Sequence, residues 1–401
     1  MIHGYAHERF GRVADTFASQ IDKTDGGASV ALFHHGELVV DLWGGKRTAD
    51  DPWERDTLAM CFSTTKGVTA TAVHVLADRG LIDYDAPVAA YWPEFARNGK
   101  EAITVRHVLS HSAGLHRFGT IVDHGSRMLD WEHMTAALAA ARPAYPPGTT
   151  AGYHALTFGW LTGELVRRIT GVSLNTFVQE NIAEPLDLRG LFIGCPPDER
   201  GRVASLKPML PKLPAPLRPL GSRALKPVSQ LLSRAGAPIN LRRVHSALLA
   251  RGMEDVMLSR ELLDAEVPAM NGHFDAVSLA TMYAMLANGG AFGGVRILSE
   301  EAVERATAVQ NDQRDHVVVV NMQWRLGYHR IPRACNRLPQ IYGHLGFGGS
   351  GAWADPEHDL SLAMVCNRGG GTPIGDLRIM RLTSAATDCV LGGQRSAARR
   401  R

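Results

Sequence analysis

Runs of strand-forming residues stand at the two ends of this chain, and helical patterns occupy what lies between them. Near the start, "ASVALFHHGELVVDLWGG" (28–45) reads as two β-rich runs around His35–Gly36, a hairpin signal. Far downstream, "HVVVVNMQWRLGY" (316–328), "GSGAWADP" (349–356) and "LSLAMVCNR" (360–368) read as further strands. Strands need hydrogen-bonding neighbours, so the two ends are expected to share one sheet. The expected fold class is α/β (α+β), an antiparallel sheet flanked by helices. Residues 1–81 and 266–401 would form this discontinuous domain, and 82–265 a mostly helical one.

Helices are expected over 6–21, over 64–79 with Gly80 as its stop, within "ITVRHVLSH" (103–111), and over "ALTFGWLTGELVRRITG" (155–171). "SLNTFVQENI" begins another with Ser173 as N-cap, and "FDAVSLATMYAMLANGG" (274–290) closes on glycines. A last helix is expected over about 376–391. Residues 200–253 differ from the rest: eleven Lys/Arg, no Asp or Glu and seven prolines. They read as an irregular basic insertion, either a surface segment or a lid carrying Leu210, Leu213, Leu217, Leu231, Arg234 and Leu241. Weak contact with lipid or a hydrophobic substrate is the corresponding partner expectation.

Composition narrows the functional classes. A net charge of +3 over 401 residues gives no general reason to expect nucleic acid. No 18-residue apolar run suggests a transmembrane helix, and charges and histidines occupy the first residues where a secretory signal would be apolar. The five cysteines are odd in number and lack CxxC spacing, which argues against a disulfide framework or a zinc site. The expectation is a cytoplasmic protein with buried thiols, no cofactor and no metal.

The chemistry is carried by three segments. In "CFSTTKGVTATAVHVLADRG" (61–80), Ser63 stands three residues before Lys66 at a strand-to-helix junction. A serine hydroxyl is a poor nucleophile without a neighbouring base. Positions i and i+3 share a helix face, so the pair suits a Ser–Lys nucleophile and activator. Chance supplies about one SxxK in 400 residues, so the pattern alone decides nothing; Ser63 is, however, the only serine here with a lysine at i+3. In "YPPGTTAGYHALTFGWL" (145–161) a Pro-Pro-Gly turn delivers Tyr153 just before a helix, as a base or proton relay. In "YGHLGFGGSGAWADP" (342–356) a histidine precedes a glycine-dense run, which suggests backbone brought close to a ligand. The N–H groups of Phe347 and Ser63 would form an oxyanion hole.

Taken together and in this order, the segments resemble the serine β-lactamase and penicillin-binding-protein superfamily, in its class C-like branch. The likeness is greatest to the family VIII carboxylesterases. "STTK" matches S-x-x-K, Tyr153 the tyrosine of Y-x-N, and "HLG" (344–346) the place of K-T-G. "VLSHSAGL" (108–115), "PAMNGH" (268–273) and "MLANGG" (285–290) add to the resemblance, which spans about 25–370 without much of 200–253. It implies a β-lactamase/transpeptidase-like fold and an acyl-enzyme formed on Ser63, with Lys66 and Tyr153 sharing the general-base work. Which of the two takes the first proton stays open, since their titrations are expected to be coupled.

Three positions depart from the pattern. Ala155 replaces the Y-x-N asparagine, His344 replaces the K-T-G lysine, and Phe347 follows Gly346 where a small hydroxyl residue is usual. These changes weaken recognition of anions and amides, so the pocket (His344, Gly346, Ala155, Asn271) should take short to medium acyl esters of small-molecule alcohols. An amidase, a β-lactamase- or D-aminopeptidase-like hydrolase and an acyltransferase are alternatives on the same scaffold. A non-catalytic binding or assembly protein is the alternative from another class. No serine has glycines at both i−2 and i+2, which disfavours an α/β-hydrolase elbow. His111, His116, Trp324 and Trp353 are expected to pack; His154 could line the cleft or point away. Oligomeric state is not legible.

Overall fold

The computed structural model describes residues 1–21, 25–207, 246–247, 250–257, 259–332, 340–368, 372 and 375–398. Expectations for the basic insertion fall mostly on 208–245, outside the described residues. A seven-stranded, wholly antiparallel sheet forms the frame. Its strands are β1 (Ile2–Ala6), β2 (Gly27–His34), β3 (Glu37–Gly45), β9 (His329–Arg330), β10 (Tyr342–Leu345), β11 (Gly351–Asp355) and β12 (Leu360–Cys366). Their order is β1-β3-β2-β12-β11-β10-β9. The two ends of the chain meet where β2 pairs with β12, with Leu32 opposite Leu362. Both strands are buried along their whole length, as central strands covered on two faces must be.

Alternation sorts the sheet's side chains between two cores. Val30, Leu32, Leu42, Trp353, Leu362 and Met364 face one side, where α1 (Gly11–Ile21) and the C-terminal α12 (Leu377–Ala398) cover them with Phe17, Ile379 and Leu382. Ala31, Phe33, Ala352, Ala363 and Val365 face the larger core. That core is built on α2 (Thr65–Asp78), the connecting helices α3 to α7 (Val105–Leu109, Phe118–Ile121, Trp131–Ala140, Thr157–Thr170, Leu174–Val178), the short α8 and α9 (Met253–Met257, Glu261–Asp264), α10 (Ala276–Ala287) and α11 (Glu300–Thr307). α2 is buried on every side from Thr65 to Leu76, so it is the central helix and not the amphipathic one its apolar residues suggest.

Three short strands, β4 (Ala59–Met60), β5 (Leu191–Ile193) and β6 (Gly272–Phe274), pair in the order β4-β6-β5; a small hairpin, β7 (Ala291–Phe292) and β8 (Val295–Arg296), completes the strands. The three-stranded piece fixes the entry to α2. Cys61 N–H donates to Gly272 O (2.8 Å) and Gly272 N–H to Thr65 Oγ1 (2.9 Å). No helix among the described residues is long and apolar enough to cross a membrane.

Several expected elements form where the sequence placed them. His35 and Gly36 turn the hairpin with positive φ, Gly171 ends α6 in the left-handed region at φ 77°, and Ser173 caps α7 by accepting from Thr176 N–H. Two differ. Residues 2–6 form an extra edge strand ahead of α1, largely exposed, paired with β3 and resting Ile2 and Ala6 on the core beneath α1. "HVVVVNMQWRLGY" is not a strand: 315–328 runs as turns with isolated bridges, and only His329–Arg330 joins the sheet. Asp315 accepts from Val317 and Val318 N–H, and Val319 and Gln323 have positive φ, so the backbone folds on itself instead of extending.

Candidate active site

Ser63 lies in a 3₁₀ turn (Phe62–Thr64) that joins β4 to α2. Phe62 carries φ 47°, a costly conformation for an aromatic residue. Its ring meets Phe347 edge to face at 5.7 Å, tying the turn to the loop after β10.

The three expected polar groups converge. Lys66 Nζ lies 3.0 Å from Ser63 Oγ and Tyr153 Oη lies 2.7 Å from the same oxygen. Lys66 is wholly buried, and its other partners are two backbone carbonyls, Ala155 O (2.7 Å) and Ala269 O (3.0 Å). Both carbonyls arrive on segments pinned to neighbouring helices. Ala155 precedes α6 directly, and 267–271 packs so tightly on that helix that a Cβ on Gly159 would come within 2.5 Å of Ala269 N. Thr69 Oγ1 on α2 donates to Pro268 O (2.7 Å).

Burial sets the electrostatics. No carboxylate bonds to Lys66 among the described residues, and burial holds its amine well below the usual lysine range. Burial likewise pushes the Tyr153 phenol up; the bond to Ser63 pulls the other way and the charge of Asp315 adds to the rise. Both shifts run toward the neutral form. A neutral amine donates two protons and accepts one. The two carbonyls take the donors, which turns the lone pair to Ser63 Oγ. In that neutral form Ser63 donates to Lys66, whereas the ammonium donates to Ser63 Oγ; Tyr153 donates to the same oxygen.

The strand β10 and its following loop form the opposite wall. A Cβ on Gly346 would come within 2.3 Å of Cys61 O, so glycine lets the loop close on the nucleophile's strand. Among the described residues neither Ser63 N–H nor Phe347 N–H has a hydrogen-bond partner. His344 is buried with Nδ1 on its neighbour's carbonyl (Leu345 O, 3.0 Å) and Nε2 without a partner. Burial, then the nearby His329 and Lys66, hold it well below the usual histidine range, hence neutral.

One pocket expectation needs correction. Asn271 offers nothing to the cleft: its Nδ2 donates to Leu262 O and Ala265 O, and its Oδ1 accepts from Val267 N–H. It clamps the segment that carries Ala269 O. Ala155 contributes its carbonyl to Lys66. That role, like that of Ala269, is carried by backbone and leaves no side-chain signal to read.

The other aromatic residues divide cleanly. His154 Nε2 accepts from Leu115 N–H (2.9 Å), which turns the ring away from Ser63. His111 Nδ1 accepts from His154 N–H, and its ring packs among Tyr153, Phe158 and Trp324. His116 stacks on Tyr145, and Trp353 donates to Thr383 Oγ1 in the far core. The one described group of side chains close enough to hold a cation is Asp355, Glu357 and His358, in the turn after β11. Asp355 and His358 already bond to each other there (2.8 Å). A depression of ≈ 640 Å³ lined by Arg55, Asp56, Arg189, Arg202 and Asp275 shares no residue with the Ser63 group.

Comparison with known proteins agrees with this architecture. The beta-lactamase family model matches residues 15–387. The chain belongs to the beta-lactamase family. Among curated relatives, "Esterase/beta-lactamase LipL" of Mycobacterium tuberculosis is 41% identical over 377 residues, covering 92% of this chain and 83% of that protein. A solved family VIII carboxylesterase superposes with TM-score 0.84 at 36% identity, covering 97% of this chain and all of that one. A penicillin-binding protein homologue from Caulobacter crescentus gives 0.83 at 35%, with the same coverages. The expected superfamily and β-lactamase/transpeptidase-like fold are thus correct.

Proposed function

We propose that this protein is a serine carboxylesterase that hydrolyses short to medium acyl esters through an acyl-enzyme on Ser63. The observation that carries the reading is the buried Lys66 amine: it lies 3.0 Å from Ser63 Oγ with both of its N–H donors taken by carbonyls. The likeness to an esterase/β-lactamase and to a family VIII carboxylesterase supports the ester as substrate.

In this reading Lys66 takes the Ser63 proton as Oγ attacks the ester carbonyl carbon, and the oxyanion settles on the N–H groups of Ser63 and Phe347. Tyr153 Oη gives its proton to the departing alkoxide as the C–O bond breaks, and recovers one from the Lys66 ammonium. Water then attacks the acyl-enzyme and gives a proton to Lys66, Ser63 Oγ leaves with the proton of Tyr153, and the same transfer restores both groups. Lys66 is the first base and Tyr153 the acid.

A neutral His344 and an apolar Ala155 supply neither charge nor amide to hold a β-lactam's carboxylate and side chain. Esters are therefore preferred over β-lactams. Free buried thiols at Cys61 and Cys366 fit a reducing compartment and support a cytoplasmic location. Mass spectrometry after brief exposure to p-nitrophenyl butyrate should find the butyryl group on Ser63. Turnover of nitrocefin exceeding that of the butyrate ester would overturn the preference, and failure of a fluorophosphonate to label Ser63 would overturn the enzyme.

A further inference from the structure

The turns of 315–328 lead from Tyr153 to a buried carboxylate, Asp315. The apolar residues of this segment form no strand; Val317, Val318, Met322 and Trp324 instead make a small core with Ala151, Tyr153 and Ala155, separate from the two main cores. Within it the Trp324 indole lies nearly parallel to the Tyr153 ring, with centroids 5.4 Å apart and planes at 15°. Trp324 Nε1–H donates to Asp315 Oδ2 (2.9 Å), while Asp315 Oδ1 accepts from Val317 and Val318 N–H (2.7 and 2.9 Å). His316 N–H donates to Ala151 O (2.8 Å), sewing the same loop to the strand of chain that presents Tyr153. All three of Asp315, Trp324 and Tyr153 are buried.

We propose that Asp315 and Trp324 are positioning residues for Tyr153: the indole fixes the phenol ring beside Ser63, and the carboxylate behind it fixes the indole. This rests on the assignment of Tyr153 above. A negative charge near a phenol opposes formation of phenolate, and burial leaves little water to screen it. The other titratable groups facing Tyr153 are the Lys66 amine, 5.1 Å from the ring centroid, and the imidazoles of His111 (5.2 Å) and His344 (6.2 Å). Burial pulls all three toward their neutral forms. Burial is the main cause of the raised Tyr153 phenol, and the Asp315 charge adds to it.

Each residue is tested by substitution. Asp315→Ala removes the acceptor of the Trp324 N–H and of the two loop N–H groups. Trp324→Phe keeps an aromatic ring but loses the N–H tether. Both kcat and KM for p-nitrophenyl butyrate are measured at pH 8, normalised to fluorophosphonate-titrated sites, with unfolding curves for each variant. Each substitution should lower kcat roughly tenfold with KM little changed, the mark of a displaced phenol. A folded Asp315→Ala or Trp324→Phe variant with unchanged kcat overturns the proposal. Tyr153→Phe keeps the outcomes distinct: if it retains the parental rate, the role of Tyr153 itself is wrong.

Discussion

At the residue scale the site turns on one buried amine. Lysine ordinarily titrates near pH 10.4, and Lys66 is held well below that by burial, with no carboxylate bonded to it among the described residues. Its neutral form is the competent one, so activity should rise with pH through the lowered pKa and then stay level until Tyr153 begins to ionise. Arginine cannot take this role, since a guanidinium has no lone pair to offer at any working pH. Lys66→Arg should leave fluorophosphonate labelling and ester turnover at least about 10³-fold slower. Normalised rates with p-nitrophenyl butyrate measure this, and a loss smaller than tenfold would remove Lys66 as the base.

At the element scale, the catalytic spacing depends on contacts that bring backbone to Lys66. Gly159 on α6 is the tightest of these, because a methyl there meets Ala269 N and Pro268. Gly159→Ala should destabilise the fold by about 1–3 kcal/mol and also lower kcat, since the displaced Ala269 carbonyl is a Lys66 acceptor. Urea unfolding and steady-state rates check the two effects; loss of stability with kcat intact would show that Ala269 O is dispensable. Elements and side-chain chemistry of this kind differ in how far sequence reveals them. The hairpin around His35–Gly36, α2 behind its strand-to-helix junction and the capped ends of α6 and α7 were legible because local turn and cap chemistry specifies them. Ser63, Lys66 and Tyr153 were legible as a set because their residue types are needed together. The strand reading of 316–328 failed because four consecutive valines carry strand propensity wherever they lie. Here Asp315 captures the following N–H groups and burial behind Tyr153 outweighs propensity. β1 was illegible for the opposite reason, being mostly exposed and specified largely by its partner. Asn271 was misassigned because an Asn-Gly pair reads alike whether its amide faces a pocket or clamps a loop.

At the scale of the whole molecule, burial of imidazoles sets the response to acid. His34, His74, His273 and His329 are pulled from 6.5 to about 4, chiefly by desolvation, and His154 to about 3. In the unfolded chain each regains its ordinary value, so between pH 6.5 and 4 the unfolded state binds more protons than the folded one. Stability then rises with pH across this window and is lost as pH falls through it. Asp275, Asp315, Asp355 and Glu266, raised by burial, act in the other direction, since the folded state takes up their protons first. The histidines outnumber them, and His111 and His344 add to the same side. For His74, fully buried between Tyr84 Oη and Leu326 O, the shift corresponds to roughly 3 kcal/mol at about 1.4 kcal/mol per pH unit. The unfolding midpoint should therefore fall steeply from pH 6.5 to 4, and the lowered Lys66 and Lys100 amines should keep it rising from 7 to 8. His74→Gln, which cannot take up a proton, should flatten part of that slope. Calorimetry across the range tests both, and a midpoint that holds constant down to pH 4 would mean that the buried imidazoles do not govern acid stability.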